Sequence, residues 1–235
     1  MTKGQIIAIG GGGFSEGSEP GLDSYVLEQS EANIPKVGFI GTASGDAERY
    51  LLKFYSRFSQ LNCTPSHLPL FRRTPNLTDW IMAQDIIFVG GGNTFSMLAV
   101  WQAWELAPLL KEAAAQGTIL SGISAGANCW FESCLTDAKA DEFGPLQCLN
   151  FLSGSCCPHY SSEIGRQKTF EHLIETEALP PGIAIDDGAA AYFMDGQLIR
   201  IISGTDGAAV YSVSPTPTGV TSNRIKGIEV VNLAI

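Results

Sequence analysis

Residues Thr118–Asn128 read T-I-L-S-G-I-S-A-G-A-N, and this stretch decides how the rest of the chain is interpreted. An apolar run ending at Ile123 passes through Gly122-Ile-Ser124-Ala-Gly126 into small residues. This order predicts a strand, a very tight turn and a helix start. Glycines on both sides of Ser124 allow the backbone to turn sharply, which exposes the serine hydroxyl above the sheet edge. The first N–H groups of the helix would then point at whatever the serine attacks.

The composition limits the classes of protein to which this chain can belong. The 235 residues are 45% hydrophobic and 16% charged, which predicts one globular domain over residues 1–235. A net charge of −10 argues against nucleic acid or an anionic membrane as a partner. Neither a membrane-spanning run nor a signal-peptide pattern is present, and the six cysteines show no C-x-x-C spacing. We therefore expect a cytoplasmic protein with reduced thiols.

Alternating apolar strands and amphipathic helices occupy the first half of the chain. A glycine-rich segment follows several of these strands, at 10–13, 41–45, 90–92 and 122–126. The pattern predicts an α/β fold, a three-layer sandwich with a mostly parallel central sheet and its ligand site at the carboxyl ends of the strands. A dinucleotide fingerprint fails at the first glycine run, because Ser15 and Glu16 stand where the third glycine should be.

The pattern changes after residue 130. A strand over 151–158 is predicted to end at His159, a helix follows over 166–176, and short strands continue to residue 233. We expect these strands to extend the same sheet in antiparallel or mixed fashion, with 214–223 as an exposed loop.

A serine nucleophile needs a base, and the chain offers three histidines. His67 lies in a weak strand, and His172 lies in the middle of a predicted helix. His159 follows a strand and should reach the same sheet edge as Ser124, so it is the preferred base.

The base in turn needs a carboxylate that orients its ring. Asp186 and Asp187 end a predicted strand, and adjacent strand residues point to opposite faces, so one of them should face the histidine. We prefer Asp187. The resulting order of serine, histidine and acid differs from that of the α/β-hydrolases, in which the acid precedes the histidine. The remaining acidic residues are interpreted as solvated surface charges: Glu132, Asp137 and Glu163.

Four short motifs together resemble peptidase family S51, which contains peptidase E and, more distantly, cyanophycinase. They are G-G-G-N-T at 90–94, G-I-S-A-G-A at 122–127, P-H-Y at 158–160 and I-D-D-G at 185–188. The expected sheet is of the class I glutamine amidotransferase or flavodoxin type. An amidotransferase, however, would carry cysteine at the elbow and its acid two residues after the histidine, where this chain has Ser161.

The resemblance implies roles for individual residues. Ser124 would be the nucleophile, His159 the base and Asp187 the acid, although the family usually carries glutamate there. The backbone N–H groups of Gly92 and Ala125 would form the oxyanion hole. Asn93 would line the same pocket or cap the helix starting at 94. An arginine after the histidine would bind the substrate's aspartate side chain, for which Arg166 is the best match and Lys168 the next.

The expected activity is that of a serine exopeptidase acting on short peptides, with N-terminal aspartyl dipeptides as substrates and no cofactor or metal. The same triad could serve a β-aspartyl or cyanophycin-type isopeptide or another acyl group, and a relative without catalysis could only bind a ligand. A metal-dependent hydrolase is disfavoured because the three histidines are scattered without H-x-x-x-H spacing. A homodimer is compatible with the sequence, which does not determine the oligomeric state.

Overall fold

The described residues, 4–139, 142–226 and 229–233 of a computed structural model, form two β-sheets with helices packed against them. The strands are β1 Gln5–Ile9, β2 Lys36–Ile40, β3 Thr64–His67, β4 Ile86–Val89, β5 Ile119–Ile123, β6 Phe131–Lys139, β7 Glu142–Gln147, β8 Leu152–Pro158, β9 Gly182–Ile185, β10 Ala189–Met194, β11 Gln197–Ser203, β12 Val210–Thr216, β13 Gly219–Arg224 and β14 Glu229–Asn232. The helices are α1 Gly13–Glu16, α2 Pro20–Glu28, α3 Glu48–Phe58, α4 Leu77–Met82, α5 Thr94–Ala103, α6 Leu106–Ala115, α7 Ala125–Asn128 and α8 Arg166–Glu175.

The first sheet contains the predicted parallel strands. Among the described residues its order is β14-β11-β10-β1-β5-β4-β2-β3, and the strands from β1 to β3 in that order pair in parallel. Alternate residues of β1 enter two different cores: Ile7 and Ile9 pack with α2 and α3, whereas Ile6 and Ala8 face α5 and α6. A sheet that is buried on both faces explains why these strands are apolar throughout. The predicted α/β class with a parallel centre is confirmed.

A second sheet, absent from the prediction, lies beside the first. In the described part of the chain its order is β13-β12-β9-β8-β6-β7. The expectation of one extended sheet was therefore wrong for β8, β9 and β12, and correct for β10, β11 and β14. The strands β6 and β7 were not predicted.

Two further local predictions need correction. The segment 214–223 is not a loop but a β-hairpin, because β12 and β13 pair antiparallel from Tyr211 with Arg224 to Thr216 with Gly219. The sequence also predicts a helix over 95–115 that breaks around Pro108. The helix breaks instead at Glu105, which has φ 51°, and Pro108 lies in the first turn of α6. Proline is tolerated there because the first N–H groups of a helix have no partner within the helix.

The second sheet has its own core. Its inner face packs on the first sheet through Cys134, Cys156 and Val210, and its outer face packs on α8 through Phe170 and Ile174. The adjacent Cys156 and Cys157 of β8 are fully buried, one in each core, as expected for small apolar residues. In the described part of the chain, no helix is long and apolar enough to cross a membrane.

Candidate active site

Ser124 lies at a strained turn between β5 and α7. Its backbone has φ 57° and ψ −113°, outside the conformations that most L-residues adopt. The turn requires close contact of strand and helix: a Cβ at Gly122 would lie 2.3 Å from the carbonyl oxygen of Gly126, and one at Gly126 would lie 2.2 Å from that of Val89. Glycine at both positions is therefore a steric requirement, and the side chain of Ser124 is directed out of the sheet edge.

His159 and Asp187 meet across neighbouring strand ends of the second sheet. β8 and β9 are parallel, and Pro158 pairs with Ile185, so the residues that follow each strand end come together. Asp187 Oδ1 accepts a hydrogen bond from His159 Nδ1 at 2.5 Å. Burial raises the pKa of the Asp187 carboxyl, but hydrogen bonds from His159 and Ser162 and nearby positive charge outweigh it and leave the pKa below its ordinary value. The carboxylate is thus held ionised beside the imidazole.

Asp186 faces away from His159 and supports the fold. Its Oδ1 accepts a hydrogen bond from the Ser161 hydroxyl at 2.5 Å, and its Oδ2 accepts from the Ala209 N–H at 3.1 Å and the Tyr211 hydroxyl at 3.2 Å. The side chains of the two adjacent aspartates therefore have different surroundings, and Asp187 is the one beside the histidine.

Ser124 and His159 line one cavity of about 530 Å³ at the junction of the two sheets. Among the described residues no hydrogen bond joins them, and the Ser124 hydroxyl makes no hydrogen bond to another group. Catalytic hydrogen bonds are often long before substrate binds, so the absence of a bond between Ser124 and His159 does not exclude a nucleophile and its base. The other two histidines do not line the cavity: His67 Nδ1 is hydrogen-bonded to the Tyr55 hydroxyl, and His172 is exposed on α8.

The backbone N–H groups of Gly92 and Ala125 have no acceptor within the described residues. Gly92 lines the cavity, and Ala125 is the first residue of α7, directly after Ser124. The neighbouring Gly91 N–H instead donates a hydrogen bond to the Tyr50 hydroxyl at 3.0 Å. Gly92 therefore brings a free N–H donor to the cavity, whereas Ala125 is buried and does not itself line it.

Asn93 caps α5 and does not line the cavity. Its Oδ1 accepts from the Ser96 N–H at 2.8 Å and its Nδ2 donates to the Ala138 carbonyl at 3.1 Å. This is the capping alternative that the sequence left open.

Arg166 is buried, 4% exposed, and does not line the cavity. Its Nε lies 2.7 Å and its second guanidinium nitrogen 2.6 Å from Glu163 Oε2, and the guanidinium lies over the Phe143 ring. Glu163 is therefore an ion-pair partner rather than only a solvated surface charge. Lys168 is exposed on α8 and also does not line the cavity.

Four residues of the cavity wall were missed by the sequence analysis: Glu16, Arg49, Tyr50 and Lys53. Glu16 appeared only as a residue that breaks a dinucleotide fingerprint. The other three lie on α3, where Arg49 and Lys53 are one turn apart on a polar face. That spacing was readable, but nothing in the sequence indicated that the first turns of α3 lie beside the serine.

A larger cavity of about 830 Å³ lies elsewhere, lined by residues such as Trp104, Leu109 and Leu149. Its described wall contains neither a serine nor a histidine. The smaller cavity is therefore the candidate active site, because its wall combines the strained Ser124, His159 with its Asp187 partner and the free N–H of Gly92.

Comparison with known proteins identifies relatives over most of the chain. The model of Peptidase family S51 matches residues 6–201. An uncharacterized peptidase of Bacillus subtilis (strain 168), YgaJ, is 46% identical over 211 residues, covering 89% of this chain and 91% of that protein. Peptidase E of Shewanella sp. (strain W3-18-1) is 32% identical over 164 residues, covering 66% of this chain and 68% of that protein.

A solved structure shares the fold. The crystal structure of a peptidase from an acI-B1 Actinobacterium superposes with a TM-score of 0.69 and covers 95% of each chain, at 17% identity. At this identity the similarity speaks for the fold alone.

Proposed function

The chain belongs to peptidase family S51, and from this premise we propose that it is a serine exopeptidase that hydrolyses dipeptides with an N-terminal aspartate. The observation that carries the proposal is that one cavity is lined by both the strained Ser124 and His159, which is hydrogen-bonded to Asp187. Acyl transfer to serine requires a hydroxyl nucleophile, a base and a carboxylate that orients the base, and in this proposal Ser124, His159 and Asp187 supply them.

In the proposed reaction, the Ser124 hydroxyl attacks the scissile carbonyl carbon while His159 accepts the hydroxyl proton. Asp187 holds the Nδ1–H of His159 and stabilises the imidazolium that forms. The same proton passes to the leaving amine, and the C–N bond breaks to give an acyl-enzyme. Water then attacks the ester, again with His159 as base, and releases the acid and the serine hydroxyl.

The negative charge on the carbonyl oxygen would be stabilised by the N–H groups of Gly92 and Ala125. Both lack an internal acceptor among the described residues, so they need not break a bond to bind the oxyanion. The Ala43 backbone packs closely against Gly92. Gly92 has φ 135°, and a Cβ there would lie 2.3 Å from the Ala43 carbonyl oxygen. A donor fixed in this way is aimed before charge develops.

The preference for aspartate rests, in this proposal, on the cations of α3. Arg49 and Lys53 line the cavity, whereas Arg166 is buried against Glu163. The guanidinium of Arg49 has no ion-pair partner among the described residues and could bind a carboxylate in bidentate fashion. Lys53 donates to the Ser15 carbonyl at 2.5 Å and adds positive charge to the same wall.

The test is hydrolysis of a panel of Xaa-Leu dipeptides and β-Asp-Leu by the wild type and Ser124→Ala. We expect cleavage of Asp-Leu that is lost by at least about 10³-fold in Ser124→Ala, while the melting temperature stays the same. A serine-directed phosphonate should label the wild type only. Cleavage retained in Ser124→Ala would overturn the mechanism, and cleavage of other dipeptides without preference would overturn the aspartate specificity.

A further inference from the structure

Glu16 places an unpaired carboxylate beside the histidine–aspartate pair. It is the last residue of α1, it is exposed to the cavity, and ligand atoms of Glu16, His159 and Asp187 all lie within 4.8 Å of one another. Among the described residues, the Glu16 carboxylate has no hydrogen bond or ion pair. The mechanism proposed above does not use it.

The position of Glu16 is fixed by the residues around it. Phe14 is 5% exposed and packs edge-on against four rings, those of Phe39, Phe54, Phe58 and Phe88. The Tyr50 hydroxyl bonds Ser15 Oγ at 3.0 Å, and Lys53 bonds the Ser15 carbonyl. The two residues that precede Glu16 are therefore anchored by packing and hydrogen bonds, whereas the Glu16 side chain itself makes no hydrogen bond and can bind a ligand.

Charge is distributed unevenly around the cavity. Glu16 lies on the side of His159 and Asp187, and the cations Arg49 and Lys53 come from α3. Two carboxylates near one imidazole create a negative region next to the nucleophile, which favours a cationic ligand group there. Of these two carboxylates, Asp187 is engaged by His159 and Glu16 is the free one.

The N-terminal ammonium group of a peptide fits this requirement. It is separated from the scissile carbonyl carbon by one carbon atom, so a substrate whose carbonyl meets Ser124 must bring its ammonium group close to the serine and the histidine. We propose that Glu16 binds this ammonium group and so restricts the enzyme to substrates with a free N-terminus. The inference rests on the proposed peptidase function and extends it to the choice of substrate end.

A metal ion is the other cation that such a cluster could attract. However, the 2.5 Å hydrogen bond between His159 Nδ1 and Asp187 Oδ1 occupies one atom of each of those residues. A metal bound by these two atoms would have to break this bond, whereas an ammonium group at Glu16 leaves it intact. The ammonium group is therefore the ligand that we propose, and the metal ion is an outcome that the experiment distinguishes.

The experiment compares Asp-Leu with N-acetyl-Asp-Leu in the wild type, Glu16→Gln and Glu28→Gln. Glu28 is an exposed glutamate at the end of α2 and does not line this cavity, so it is the matched control. We expect the wild type to favour the free amine by at least about 100-fold in kcat/KM. Glu16→Gln should lose about tenfold to 100-fold on Asp-Leu, mainly through KM, and less than about threefold on the acetylated peptide.

The outcomes separate this inference from the proposed function. If the wild type cleaves no free dipeptide, or if Ser124→Ala remains active, the peptidase mechanism fails. If cleavage depends on Ser124 but Glu16→Gln keeps the wild-type preference for the free amine, only the role of Glu16 is overturned. Loss of activity on both peptides in Glu16→Gln, restored by added zinc, would also overturn it in favour of a metal site.

Discussion

Gly11 and Asp187 are in direct contact: a methyl group on Gly11 would lie 2.1 Å from Asp187 Oδ1 and 2.9 Å from His159 Cε1. The two residues also form an isolated parallel bridge, and the Gly188 N–H donates to the Gly11 carbonyl at 3.0 Å. The glycine run after β1 therefore packs directly against Asp187, which follows β9 of the second sheet. This contact joins the two sheets at the candidate active site.

Gly11→Ala is therefore expected to displace Asp187 and to lower kcat by at least about 100-fold, because small misplacements of a catalytic group cost that much. The control is Gly144→Ala in β7, where an added Cβ meets nothing within 4 Å. Steady-state kinetics with thermal melts will check this, and a Gly11→Ala variant with wild-type kcat would contradict the contact.

The two adjacent aspartates are expected to respond differently to the same substitution. Asp187→Asn should lower kcat by about 10³–10⁴-fold with little change in stability, because the ring of His159 loses its acceptor. Asp186→Asn should instead lower the free energy of unfolding by about 1–3 kcal/mol, since three donors share its carboxylate. Urea unfolding and kinetics on both variants will distinguish the two roles, and equal kinetic effects would argue against the assignment.

Tyr50 is expected to position the loop that carries Gly92. Its hydroxyl accepts the Gly91 N–H and donates to Ser15 Oγ, both at 3.0 Å. Tyr50→Phe frees the Gly91 N–H and should lower kcat about five- to tenfold, corresponding to one lost hydrogen bond of about 1 kcal/mol. Tyr55→Phe on the same helix removes a hydroxyl that bonds His67 and should leave kcat unchanged. Equal rates in the two variants would refute this role.

Stability should depend on pH through Asp23, whose side chain is 1% exposed beneath α1. Burial raises its pKa from 3.8 to about 6, despite hydrogen bonds from the Phe14 N–H and Arg57. A raised folded-state pKa means that its contribution to stability is fully present below about pH 4 and is lost as the pH rises through about 6.

Urea unfolding of the wild type and Asp23→Asn between pH 4 and 7 tests this. The wild-type advantage should shrink with rising pH by at most roughly 3 kcal/mol, at 1.36 kcal/mol per pKa unit. A difference between the two proteins that stays constant, or grows with rising pH, would contradict the shift.

Much of the first sheet could be predicted because its signals are local. Apolar runs such as Ile86–Val89, glycines at strand ends and the small residues around Ser124 each reflect a short-range steric or burial requirement. The triad residues were also selected from position at strand ends and from family motifs, and their catalytic roles stay predictions until tested.

The second sheet could not be read in this way. Strands β8 and β9 look the same in sequence whether they extend one sheet or form another, because their pairing partners lie far along the chain. The hairpin of β12 and β13 was missed for a related reason, since polar and proline-rich residues on an exposed edge resemble a loop.

Arg166 shows that tertiary contacts can engage a side chain whose place in the sequence suggests substrate binding. A cation after the histidine suits a carboxylate-binding role, but Glu163 and the Phe143 ring enclose it in the second sheet's packing. The cations that line the cavity are Arg49 and Lys53, from a helix more than 70 residues before Ser124.

The sequence by itself determined the elbow at Ser124, the parallel strands that support it and the pair of adjacent acids from which one would face the histidine. Those features depend on backbone sterics and on apolar periodicity within short segments. Only the tertiary structure decided that Ser124 belongs to one sheet and the His159–Asp187 pair to another, and that Glu16 and the α3 cations enclose the space between them. The physical reason is that packing of two sheets joins residues whose separation along the chain leaves no local signal.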